Sequence, residues 1–79
     1  MRYTNLYYTD NHEYAAFLMA SRRTLDSFYR SRGNCVFVFE DGPECERIIQ
    51  SIIKGDHFIE ATSLVEALKT INGIMNIDV

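Results

Sequence analysis

The stretch from Cys35 to Lys54 constrains this chain more than any other, because it lays a strand directly against a helix start. Cys35, Phe37 and Phe39 alternate with Val36, Val38 and Glu40. Asp41, Gly42 and Pro43 then stop the strand and open a helix, with Cys45, Ile48, Ile49, Ile52 and Ile53 at helical spacing on one face. Two apolar faces so close in the chain must share one core. The block therefore predicts an α+β architecture. It holds no catalytic motif.

At 79 residues the chain predicts one domain, spanning residues 1–79, and a chain this short buries only about 60% of its unfolded surface. Domains of this size often rely on disulfides, a metal or self-association. Cys35 lies on the Phe37/Phe39 side of its strand, and Cys45 on the apolar side of its helix. Both therefore read as buried free thiols. Two cysteines without neighbouring His or Cys ligands do not compose a zinc site, and no cofactor is expected. No apolar run reaches the ~18 residues of a membrane span, and no segment reads as a signal peptide. The expectation is a cytoplasmic protein supported by self-association.

Along the chain, Tyr3 to Tyr8 has strand composition. Asp10 with Glu13 resembles a capping box, opening a helix that carries Tyr14, Ala15, Phe17, Leu18 and Met19 and fades by Arg23. A second strand is expected from Thr24 to Arg30, with Leu25 and Tyr29 on one face and Phe28 on the other. Arg32, Gly33 and Asn34 form a hairpin turn leading into the third strand, Cys35 to Glu40. The second helix has Pro43 in its first turn and ends at Lys54 and Gly55. Ser63 with Glu66 predicts the start of a third helix bearing Leu64, Val65, Leu68, Ile71 and Met75. The order is β-α-β-β-α-α.

The third strand is apolar on both faces, which belongs to a central strand. The prediction is a three-stranded antiparallel sheet in the order 2-3-1, with at least the first two helices on one face. The first strand is then an edge, and unprotected edges pair with other chains. Tyr3, Thr4, Tyr7 and Tyr8 are strand formers with no Lys or Pro to block pairing. They nominate a homodimer edge.

Two runs carry a resemblance: Thr9-Asp10-Asn11-His12-Glu13-Tyr14-Ala15-Ala16-Phe17-Leu18, and Gly33-Asn34-Cys35-Val36-Phe37-Val38-Phe39-Glu40-Asp41. The chain resembles, from about Tyr8 to Met75, a family of short bacterial and phage proteins catalogued only as a domain of unknown function. That family's pattern has Leu after the Asp, where this chain has the polar His12 and Glu13. The resemblance implies a phage or mobile-element setting and a fold. It supplies no catalytic residue.

Each ionisable residue has an ordinary structural role open to it. Glu13, Glu44 and Glu66 fall in first turns of helices, where a carboxylate meets unpaired N–H groups. Glu40 and Asp41 are adjacent, so on a strand they point to opposite faces, and Asp41 reads as a helix cap. His12 and His57 stand apart from other ligands. No phosphate loop, nucleophile elbow or metal-binding helix occurs. A non-enzymatic protein is expected.

Charge is distributed unevenly. Residues 1–39 have five basic and three acidic groups, whereas residues 40–79 have three basic and eight acidic. Arg22, Arg23, Arg30 and Arg32 lie within eleven positions, with Phe28 and Tyr29 among them. Those six residues nominate a partner-binding surface. Arginine and tyrosine anchor protein interfaces, and arginines interleaved with aromatics also bind nucleic acids. A net charge of −3 opposes a polyanion, so the first expectation is a protein that binds and modulates or inhibits a protein partner. A nucleic-acid-handling or defence protein would suit its acidic half. The alternative is a small nucleic-acid-binding module built on Arg22 to Arg32.

Overall fold

A computed structural model describes residues 5–77. Its elements are β1 (Leu6–Thr9), α1 (His12–Ala20), β2 (Leu25–Ser31), β3 (Asn34–Glu40), α2 (Gly42–Lys54) and α3 (Ala61–Met75). The three strands form one antiparallel sheet in the order β1-β3-β2. This is the α+β arrangement predicted from the doubly apolar third strand.

β3 takes the centre because it carries apolar residues on both faces. Phe37 and Phe39 are fully buried on one side, and Val38 is buried on the other. The first side meets Ala15, Ala16 and Leu18 of α1, Cys45, Ile48 and Ile49 of α2, and Ala67 and Ile71 of α3 in one core cluster. All three helices thus contribute to the Phe37/Phe39 side. α3 reaches that core by packing chiefly along α1.

Two helix starts lie one to three residues from where the sequence places them. α1 is capped by Asn11, not Asp10: the Asn11 side chain accepts the N–H groups of Glu13 at 2.9 Å and Tyr14 at 3.1 Å. α3 starts at Ala61 with Glu60 as its N-cap, three residues ahead of the expected Ser63 cap, and Ser63 instead donates to the Glu60 carboxylate at 3.0 Å. Asp41 does cap α2, accepting the Glu44 N–H at 3.4 Å, and Gly55 ends that helix at φ 81°. Both follow the sequence prediction.

In the hairpin, the left-handed positions are Arg32 (φ 54°) and Gly33 (φ 85°), while Asn34 already belongs to β3. Two consecutive positive φ values are what a two-residue hairpin of right-handed twist requires. A register shift between Leu25 and Ser27 makes Asp26 an extra residue in β2. The bulge reverses the expected faces. Leu25 pairs with Phe39 and Phe28 with Phe37, so both lie on the core side, while Tyr29 pairs with Val36 on the other. Strict alternation had put Leu25 with Tyr29, and one inserted residue is enough to flip it.

Candidate functional site

The side of the sheet opposite the helices carries two exposed tyrosines among the described residues. Tyr8 of β1 lies beside Val38, and Tyr29 of β2 lies beside Val36. The two tyrosines therefore stand diagonally across β3. They are 59% and 45% exposed, while Val38 between the flanking strands is 3% exposed. Among the described residues no helix packs over this face: Val38 lies outside the cluster that unites the helices with Phe37 and Phe39. Tyrosine presents a rigid apolar ring and a hydroxyl at low entropic cost, which suits a surface that becomes buried on docking.

β1 pairs only with β3, leaving its outer edge unpaired among the described residues. Of the residues nominated for a dimer edge, Tyr8 points to the open face and Tyr7 to the core side opposite Phe39. Tyr3 and Thr4 lie outside the described residues. Burial, reinforced by the Glu46 carboxylate, raises the pKa of the Tyr7 hydroxyl. It stays neutral on the helix side.

The six residues nominated for partner binding do not form one surface. Arg22 and Arg23 sit in the connection between α1 and β2, whereas Arg30 and Arg32 sit at the hairpin end of β2. A strand rises about 3.3 Å per residue, so β2 holds the two pairs on the order of 20 Å apart. Phe28 packs against the core, and Tyr29 faces the other way. Arg30 is engaged within the chain. Its guanidinium donates to the carbonyl of Met75 and, at 3.0 Å, to that of Ile77. These carbonyls close α3, and a cation there is favoured by the helix dipole.

A few other ionisable groups have local partners. Arg47 donates to both oxygens of Glu44, at 2.8 and 2.6 Å, and this bond lowers the Glu44 pKa. Cys35 and Cys45 are buried free thiols. Burial pushes the Cys45 thiol up to about 11, and its Sγ–H donates to the Glu40 carbonyl at 3.4 Å. Among the described residues no three His, Cys, Asp or Glu side chains stand close enough to hold a metal ion. No described helix is long and apolar enough to cross a membrane.

A second feature, absent from the sequence reading, lies on the helix side. Arg22, Arg23, Arg47 and His57 line a cleft with Phe58, which is 92% exposed. Three separate parts of the chain contribute, the connection after α1, α2 and the connection into α3, so no window of sequence brings them together. Phe58, beside His57 in a connection, was the one available hint.

Together these features define a small α+β domain with, among the described residues, one helix-covered sheet face, one tyrosine-bearing face that no helix covers and an unpaired edge. A sequence profile described as Domain of unknown function (DUF5659) matches residues 4–77, and the chain belongs to that family. No curated protein and no solved structure matches it significantly.

Proposed function

We propose that this chain is a non-enzymatic interaction protein that docks a protein partner on its open sheet face. The observation that carries the reading is the pair Tyr8 and Tyr29, exposed on either side of the buried Val38. Pairing of two β1 edges would join two such sheets into a homodimer with a continuous face, as free strand edges favour. The acidic residues 40–79 favour a basic partner, of the kind that handles nucleic acid, and binding would modulate or inhibit it. A phage or mobile-element protein aimed at a host defence enzyme fits this description. The nucleic-acid alternative is weaker, because β2 separates the two arginine pairs and Arg30 is engaged at the end of α3.

The test uses a Tyr8→Ser/Tyr29→Ser double variant in quantitative affinity capture from the native host. Partner recovery should fall at least tenfold relative to wild type while the melting temperature holds within a few degrees. Undiminished recovery would remove the sheet face from the proposal. In sedimentation at micromolar concentration the wild type should run at about twice the 9.2 kDa monomer mass, and a monomer would remove the edge-paired dimer. Tight, salt-sensitive binding of single-stranded oligonucleotides would favour the alternative.

A further inference from the structure

The cleft on the helix side has the makings of a site for a small anion. Its volume is about 420 Å³, within the usual range of small-molecule sites. It opens between the end of α1, the first turns of α2 and the connection into α3. Arg22 and Arg23 come from the first of these, Arg47 from the second, and His57 and Phe58 from the third. The wall also holds two carboxylates. Glu44 pairs with Arg47 and also feels the charge of Arg23, and Glu60 accepts from Ser63; three arginines against two carboxylates leave the wall one positive charge in excess.

Three observations bear on what the cleft can hold. The Nε of Arg23 is buried with no hydrogen-bond partner, and such a donor normally has one. The N-terminus of α3 borders the cleft, and its N-cap residue, Glu60, makes no side-chain bond to the free N–H groups. Those groups favour an anion. The third observation concerns Arg22. The N–H of Arg22 bonds to the Met19 carbonyl and that of Arg23 to the Leu18 carbonyl, the two bonds of a Schellman helix end. Arg22 occupies its left-handed position at φ 64°, where glycine is preferred.

We propose that this cleft binds a mononucleotide. The planar guanidinium groups of Arg22 and Arg23 match a phosphate through paired N–H donors. Phe58, on the rim, offers a free ring face to the base. The cleft lies on the opposite side of the sheet from Tyr8 and Tyr29, so this site stands or falls independently of the docking face.

Calorimetric titration of the full chain with AMP, adenosine and inorganic phosphate tests it. AMP should bind in the sub-millimolar range and weaken with salt, with adenosine and phosphate each at least tenfold weaker. Arg22→Gly should reduce AMP affinity at least tenfold while the melting temperature stays level or rises, since glycine suits that backbone. Phe58→Ala should weaken AMP and leave phosphate unchanged. In NMR, AMP should shift the Arg23 Nε–H resonance. No AMP binding at millimolar concentration, adenosine or phosphate binding as tightly as AMP, or wild-type affinity in Arg22→Gly would each overturn the proposal.

Discussion

Gly42 lies so close to Leu6 that a Cβ on it would stand 3.1 Å from the Leu6 carbonyl oxygen and 3.2 Å from its carbon. The Gly42 N–H also donates to the Asn5 carbonyl at 2.9 Å. The start of α2 is thereby seated on the backbone of β1, directly after Asp41 turns through a left-handed φ of 61°. This contact joins the edge strand to the helix layer. Neither atom can yield as a side chain would.

Gly42→Ala should therefore destabilise the fold by roughly 1–3 kcal/mol, the range for forcing a methyl into a packed site. Denaturant titration checks this, with the midpoint moving down at an unchanged slope. A loss below about 0.5 kcal/mol would mean that β1 and α2 can part at little cost.

Arg32→Asn should stabilise. Arg32 holds the first left-handed position of the hairpin at φ 54°, and Asn tolerates that region where Arg is strained. The gain should be about 0.5–1 kcal/mol, and a domain of this size shifts its Tm by about 4–8 °C per kcal/mol. Asn is the better choice than Gly because it leaves the unfolded chain less freedom to lose. An unchanged Tm would show the turn to be unstrained.

Arg30→Ala should cost roughly 1 kcal/mol, although Arg30 is exposed. The substitution leaves the Met75 and Ile77 carbonyls without their cation at the end of α3. Amide hydrogen exchange should quicken in the last turn of α3 before it does elsewhere. Uniform exchange across the chain would contradict a local role at this helix end.

Stability should fall in alkali. Burial raises the Cys45 thiol from 9.0 to about 11, and Tyr7 is raised for the same reason. Folding thus favours the neutral form of each. Their contribution is complete below the unfolded thiol value and is lost as pH rises through the folded one, so the denaturation midpoint should decline from about pH 9 towards about pH 11. Cys45→Ser should flatten part of that decline. A profile identical to wild type would exclude Cys45 as its source.

What could be read from the chain alone is whatever neighbouring residues decide among themselves. Alternation from Cys35 to Glu40 set β3 and its central place, and Asp41, Pro43 and Gly55 bounded α2. Element order and sheet order followed, because a strand apolar on both faces has only one place to go. The α1 start was legible to within one residue, since Asn11 competes with Asp10 for the same N–H groups, and the α3 start to within three, since its N-cap Glu60 makes no side-chain bond that would mark it. Tertiary structure alone decided how distant residues share space. The bulge at Asp26 turns Phe28 inward to the core and leaves Tyr29 on the open face with Tyr8. Arg30, next to Arg32 in the sequence pattern, is drawn to a helix end 45 residues away. The cleft joins side chains from α1's end, α2 and the approach to α3, which become neighbours only when the helices stack over one face of the sheet. Spacing along a chain records the period of an element. It carries no record of which elements close around the same volume.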